Sequence, residues 1–261
     1  TDNGTGSRAV IGSDISSVNE IDYWTVGTPG NASDFGELSK GRWYTAALSN
    51  ATNNRGIFGG GDIGAPTYYS NIIDYITITS TGNATNFGDM ASVTKTQSSG
   101  LDNGTNDRGV FMGGYTPPTE SDQISYITIT SLGDAATFGD LQSETYGMTS
   151  VSNAVNERRV AMGGKEGEPS AVTTNRIDFI TINSTGNAAD HGNLTIATTN
   201  NGRHGADNGV DDRGLIGGGH DGAATNAIQY VTITGTAGAT DFGDLTADGG
   251  EGVAGVSNGA T

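Results

Sequence analysis

The chain has 261 residues, 43 of them glycine, and carries 12 Lys+Arg against 29 Asp+Glu, a formal net charge of −17. So acidic a chain excludes a nucleic-acid binder, because phosphate contacts rest on clustered Lys and Arg. The chain has no cysteine, so a disulfide framework, a thiolate metal site and a Cys nucleophile are excluded, and no apolar run approaches the ~18 residues of a membrane helix.

Helices are disfavoured as well, since each interior glycine costs about 1 kcal/mol, while the plentiful Ile, Val, Thr and Tyr suit strands. The first element in the chain is an Arg-led run, Arg8-Ala-Val-Ile-Gly12, which reads as a strand. A second strand follows at Ile21-Asp-Tyr-Trp-Thr-Val26, and a third is expected to start near Phe35-Gly-Glu-Leu38. A small-residue segment, Leu48-Ser-Asn50, reads as a further short strand. From there the chain repeats itself. Arg-led runs recur at Arg55, Arg108, Arg158 and Arg213, each ending in glycines. The Ile-Asp-Tyr-Ile-Thr-Ile segment recurs from Ile73, Ile124, Ile177 and Ile228, at spacings of 52, 51, 53 and 51 residues. The Phe-Gly-Asp-Leu motif returns at Phe87, Phe138, His191 and Phe242 with the same spacings. Segments ending in Asn recur at Asn103, Asn153, Asn208 and Asn258.

Four short strands in a period of about 50 residues indicate a propeller blade rather than a solenoid coil. The Ile-Asp-Tyr-Ile-Thr-Ile strand is apolar on both faces, as in a sheet covered on both sides. The expected fold is therefore all-β: a five-bladed β-propeller of four-stranded antiparallel blades, one domain over 1–261. The blades are expected at 252–261 with 8–38, then 43–92, 97–143, 147–197 and 203–248. The chain begins on the Arg-led strand and ends on the Asn-ended one, so the C-terminal strand is expected to pair into the first blade and close the ring. A chain opening at Thr1 without Met reads as a processed product or part of something longer.

Apolar residues followed by Gly-Gly, a variable loop, a strand with Tyr and a later aromatic resemble kelch repeats, with Phe or His191 where kelch units usually carry Trp. The fuller pattern of Arg55-Gly-Ile-Phe-Gly-Gly-Gly61, Asn71-Ile-Ile-Asp-Tyr-Ile-Thr-Ile78 and Gly82-Asn-Ala-Thr-Asn-Phe-Gly-Asp89 is similar to repeats in virion and tail-fibre proteins of aquatic, especially marine, bacteriophages. The resemblance covers the whole chain and implies a phage virion or, failing that, an extracellular location. It implies other virion proteins or host-surface glycans as partners, with homo-oligomers on the particle an option.

The residues offer little catalytic chemistry. Gly59-Gly-Gly-Asp-Ile-Gly64 and Gly217-Gly-Gly-His-Asp-Gly222 match a nucleotide-binding fingerprint, but a strand follows where a helix is required. His191, His204 and His220 occupy unrelated repeat positions, and no Gly-x-Ser-x-Gly elbow is present. Asp102 and Asp207 are the acids of the Asn-ended strands, aligned with Ser49, Ser152 and Ser257, which favours turn capping over a glycosidase pair. No enzyme activity and no cofactor are expected; the acidic loops leave Ca²⁺ as the one ion to consider, without an EF-hand or nonapeptide loop. The repeated Arg8, Arg55, Arg108, Arg158 and Arg213 are expected to share a rim with Glu37, Asp89, Asp140 and Asp244 and form structural ion pairs, the alternative being solvated side chains.

Recognition is expected on the face bearing the connections at 13–19, 62–70, 115–122, 165–176 and 220–226, which differ in length and chemistry. Candidate ligand-binding residues are Tyr68, Tyr69, Tyr115 and His220 in these loops, with Trp43, Tyr44 and Tyr146 in the connections between blades. Aromatic platforms beside Asn, Asp and Glu suit a sugar ring or a protein surface; Trp43 and Tyr44 are equally placed to pack between blades. The leading expectation is a binding or structural module; the alternatives are an extracellular bacterial lectin or adhesin, or a propeller glycosidase using loop carboxylates.

Overall fold

In a computed structural model of the protein, residues 8–12, 18–50, 54–66, 68–91, 99–102, 107–153, 158–199, 205–207 and 212–249 are described. Among them there are strands and turns and no helix, so the fold is all-β. Sheet 1 contains β1 (Arg8–Gly12), β2 (Glu20–Thr25) and β3 (Ser33–Glu37). Next come β4 (Ala46–Ser49), β5 (Arg55–Gly59), a small hairpin of β6 (Asp62–Gly64) and β7 (Tyr68–Tyr69), then β8 (Ile72–Thr77) and β9 (Thr85–Asp89). Sheet 2 has the order β4-β5-β8-β9. The third unit runs β10 (Ser99–Asp102), β11 (Arg108–Met112), hairpin β12 (Tyr115–Thr116) and β13 (Thr119–Glu120), β14 (Gln123–Thr128) and β15 (Ala136–Asp140). The fourth runs β16 (Thr149–Asn153), β17 (Arg158–Met162), hairpin β18 (Lys165–Glu166) and β19 (Val172–Thr173), β20 (Arg176–Thr181) and β21 (Ala189–Asn193). The fifth has β22 (Ala206–Asp207), β23 (Arg213–Gly217), β24 (Thr225–Thr232) and β25 (Thr240–Gly249). Sheets 3, 4 and 5 repeat the order of sheet 2, and the pairing is antiparallel throughout. The segment 252–261, expected to complete sheet 1, lies outside the described residues.

The Phe-Gly motif marks the end of its strand, not the start. β3 already begins at Ser33, and Ile21 opposes Gly36 while Asp22 opposes Asp34, leaving Phe35 as an extra residue in a β-bulge. Phe87, Phe138, His191 and Phe242 occupy the same bulge in the other sheets. The glycine after the aromatic has a positive φ in four of the five sheets, +145° at Gly36, with Gly139 the exception, and a Cβ on Gly36 would stand 2.5 Å from the Gly82 carbonyl carbon of the next unit. Only glycine allows that approach.

This correction moves the repeated acids. Arg8 opposes Thr25 at one end of β2, whereas Glu37 opposes Glu20 at the other end. Strand rise separates those ends by roughly 17 Å, so the arginines and the acids of this motif do not share a rim and the expected ion pairs are not formed. Each arginine instead lies on the ring of the neighbouring strand: Arg8 on Tyr23 at 4.2 Å, Arg55 on Tyr75 at 4.5 Å, Arg108 on Tyr126 at 4.4 Å, Arg158 on Phe179 at 3.8 Å and Arg213 on Tyr230 at 4.3 Å. The guanidinium also donates to the next sheet. Arg8 reaches the Ile78 carbonyl at 2.9 Å, Arg55 that of Ile129 at 2.7 Å, Arg108 that of Ile182 at 2.9 Å and Arg158 that of Ile233 at 3.2 Å. The acids of the motif work through their backbone: the Glu37 N–H donates to Asn83 Oδ1, and its carbonyl accepts from Ala84 N. Asn193 does the latter equally well, accepting from Ala239 N, which explains why a neutral residue serves there.

The core lies between sheets. One cluster joins Val10, Ile21, Phe35 and Leu38 of the first unit to Phe58, Ile76 and Ile78 of the second. The same positions join units 2 and 3, 3 and 4, and 4 and 5. A fully buried Ile or Phe contributes about 1.5–3 kcal/mol, so the sheets depend on their neighbours for stability. His191 belongs to this pattern. It stands edge-on to Phe179 at 6.2 Å and 79°, as Phe87 does to Tyr75, and its Nε2–H donates to the Thr232 carbonyl at 3.0 Å. Burial lowers its pKa and keeps the imidazole neutral.

Candidate ligand-binding face

After the Arg-led strand each of units 2 to 5 reaches two glycines with positive φ: Gly60–Gly61, Gly113–Gly114, Gly163–Gly164 and Gly218–Gly219. The preceding connection crosses directly over them. A Cβ on Gly61 would stand 2.7 Å from the Trp43 carbonyl oxygen, and one on Gly164 2.7 Å from that of Tyr146. The residue leaving the glycines is Asp62, Tyr115, Lys165 or His220, different in every unit. Its backbone pairs with the crossing connection, Asp62 with Trp43, Lys165 with Tyr146 and His220 with Thr199. Conserved-geometry glycines thus present a variable residue at one fixed place on the face.

Three of the variable connections extend into the hairpins β6–β7, β12–β13 and β18–β19; the first two carry Tyr68, Tyr69 and Tyr115, and Tyr146 lies in the connection crossing to the third. Tyr68 and Tyr69 lie with ring centroids 6.1 Å apart. Tyr115 stacks on Tyr146 at 4.9 Å and 21°, bridging the third unit to the fourth. Tyr146 donates to Glu168 Oε1 at 2.6 Å, and the Glu168 N–H donates to Glu120 Oε1 at 2.6 Å. These two contacts tie the hairpins of units 3 and 4 together. The Tyr69 hydroxyl is pushed up in pKa by burial and then by Asp62 and Tyr115, and that of Tyr115 by burial and then Glu168 and Glu120. Burial and the Glu168 hydrogen bond raise Tyr146 further. All three phenols stay protonated and able to donate at neutral pH.

Four candidate residues, Tyr68, Tyr69, Tyr115 and Tyr146, therefore form a row over units 2 to 4. Trp43 sits at the foot of the row, where its indole lies 3.6 Å from the place of a Gly64 Cβ. Tyr44 is exposed beside it, and His220 lies further along the face in unit 5, apart from the row. Tyr44 and Tyr68 have φ of 58° and 59°, a region that bulky residues avoid. Unit 4 has Gly147 at the place of Tyr44, with φ 69°, so a tyrosine is held where glycine is conformationally easier. Sequence reasoning missed Asp62, Glu120 and Glu168; their only signal was membership of the variable loops. His204 and the side chains of Asp102 and Asp207 lie outside the described residues.

Beneath the row is a buried ion pair. Arg42 NH2 contacts Asp74 Oδ2 at 3.0 Å, both side chains being fully buried, and Asp74 Oδ2 also accepts from the backbone and hydroxyl of Ser39. Against known proteins, no family model matches this chain and no curated sequence matches it.

Proposed function

We propose that the five sheets are blades of a β-propeller, with the strand signature at 253–258 completing a first blade, and that the chain is a non-enzymatic binding module. Its ligand is a neutral glycan stacked on Tyr68, Tyr69 and Tyr115, with the buried Tyr146 backing the Tyr115 ring. The observation that carries this reading is the division of labour within the repeat. Arginine, bulge aromatic and glycines do the same structural work in every unit, whereas aromatics and carboxylates gather on the one variable face. Flat rings with protonated hydroxyls and adjacent Asp62, Glu120 and Glu168 match the apolar face and hydroxyl rim of a sugar. The resemblance to phage virion repeats makes attachment of a particle to host-surface glycans, or to another virion protein, the setting for such a module. The carboxylates favour binding over hydrolysis: Glu120 and Glu168 are engaged by a backbone N–H and a phenol that hold the hairpins together.

A glycan array is the test. At least one neutral glycan should be retained, and Tyr115→Ala should weaken it about tenfold, in keeping with the loss of one stacked ring, with the strand signature in circular dichroism kept and only a small fall in melting temperature from the lost Tyr146 stack. Retention of no glycan, or retention untouched by Tyr115→Ala, would overturn the reading. Release of a shortened sugar, abolished by Glu120→Gln or Glu168→Gln, would replace it with a glycosidase.

A further inference from the structure

Two contacts recur at every joint between consecutive sheets, one from the turn glycine and one from the arginine. At the first two joints an aromatic ring also covers a glycine: a Cβ on Gly12 would stand 3.0 Å from the Phe58 ring, and one on Gly59 2.7 Å from the Phe111 ring, whereas Met112 and Met162 occupy that glycine place in units 3 and 4. The turn glycine of the later unit donates to the bulge aromatic of the earlier one, as in Gly82 N to Phe35 O at 2.7 Å and Gly238 N to His191 O at 2.9 Å. The arginine reaches the last carbonyl of the next third strand.

The two ends of the series break this pattern in complementary ways. In sheet 1, Ile11, Trp24 and Val26 are 56%, 38% and 64% exposed, although their counterparts Phe58, Ile76 and Ile78 are buried. In sheet 5, Phe242 is 52% exposed, although Phe35, Phe87, Phe138 and His191 are buried. Leu215, Ile228 and Leu245 are also less covered than Val10, Ile21 and Leu38. Gly243 has nothing within 4 Å of its Cβ position, where Gly36 has the turn of the next unit. Sheet 5 thus shows an unfilled receiving face, and sheet 1 an unseated inserting face.

We propose that these faces meet between copies, sheet 5 of one copy receiving sheet 1 of the next, head to tail. The inference rests on reading each sheet as a blade, with the series continued between copies rather than closed within one chain. What argues for a second copy is continuity with the four interfaces already present: every copy carries both halves of the same joint, and among the described residues of one chain both halves stand uncovered. Continued across the joint, the repeat puts Ile11 over Gly217, the Gly30 turn against the Phe242 carbonyl, and Arg213 beside the Val26 carbonyl. A heterologous joint of this kind builds a ring or a fibre.

The chain has no cysteine, so introduced thiols are the only ones. Ile11→Cys and Gly217→Cys, placed in one full-length chain and treated with a short bis-maleimide, should give a ladder of covalent oligomers on a denaturing gel. Mixing the two single variants should give dimers only, and Phe242→Asp should abolish both products. Gly12→Cys with Phe58→Cys reports the same reaction at an existing joint. A product that stays monomeric with an internal cross-link would overturn the proposal in favour of closure within one chain. No cross-link, with the control pair reacting, would overturn it in favour of a different occupant. Either result leaves glycan retention on the array as the separate judge of the binding face.

Discussion

Sheets 2 and 4 carry a buried carboxylate at the same place on the third strand, and the two are treated differently. Asp74 has a guanidinium, from Arg42, and accepts two further bonds from Ser39. In the fourth unit Thr145 stands at the place of Arg42; Asp178 Oδ2 accepts from Gln142 N at 3.3 Å, and among the described residues its Oδ1, like that of Asp74, has no hydrogen-bond partner. Burial is the main reason its pKa rises to about 6, with Asp190 and Glu166 adding to the rise and Arg176 and the Gln142 bond opposing it. Sheet 4 buries an arginine as well, but Arg159 is turned to the Val110 carbonyl at 2.6 Å and the Ser150 hydroxyl at 3.1 Å. Sheet 5 shows a third solution, a neutral Gln229 whose Oε1 accepts from Thr195 N, Thr195 Oγ1 and Ile196 N. The lesson is that this position must satisfy the connection leaving the fourth strand; the charge itself is optional.

The comparison can be broken most severely at Asp74. Asp74→Ala leaves a buried, unpaired Arg42 and should cost about 3–5 kcal/mol, read as a fall in the denaturation midpoint. Arg42→Met with Asp74→Gln should recover most of that loss, because the amide, like that of Gln229, still accepts from the Ser39 connection and no buried charge is left unpaired. A double variant no more stable than the single one would show that the charge is indispensable.

Asp178→Asn should move stability the other way. The folded pKa of Asp178 lies above its ordinary 3.8, so stability from the neutral acid is intact below about pH 4 and lost as pH rises through about 6. The Asn variant should therefore be more stable than the parent at pH 8, by up to about 3 kcal/mol, and equal to it near pH 4. Urea titrations at both pH values check the sign; equal stability at pH 8 refutes the account. The smallest contrast concerns the shared frame. Arg55→Gln and Arg158→Gln should each cost about 2 kcal/mol, from a ring contact and a charge-assisted bond to the next sheet. Tyr75 and Phe179 differ only in a hydroxyl, so a large difference between the two variants would mean that the ring contact is not the main tie.

Much of the frame was legible because it repeats. A strand apolar on both faces announces sheets stacked against each other, and His191 in the series of Phe35, Phe87, Phe138 and Phe242 announces a packing variant. The bulge was not legible: Phe-Gly reads as a strand start until register shows Phe35 to be the residue without a partner. The arginines were noticed and misassigned, since sequence spacing does not reveal which end of a strand an acid reaches. On the variable face the aromatics were found by type and by their place in the connections, although Tyr146 proves to be buried. Glu120 and Glu168 were not, because their contacts join hairpins about 48 residues apart, in loops with no shared pattern.

The arginine of each unit holds the unit after it, and its own ring partner lies within the unit. Hook and eye are therefore carried on every repeat in the same order, about 51 to 53 residues apart. A gene that gains or loses one whole repeat keeps every remaining hook facing an eye, whereas a change of half a repeat leaves an arginine and a bulge glycine with nothing to engage. Evolution of such a chain is free to proceed in whole-unit steps, with each new unit bringing one new variable loop to the same face and leaving the older loops undisturbed.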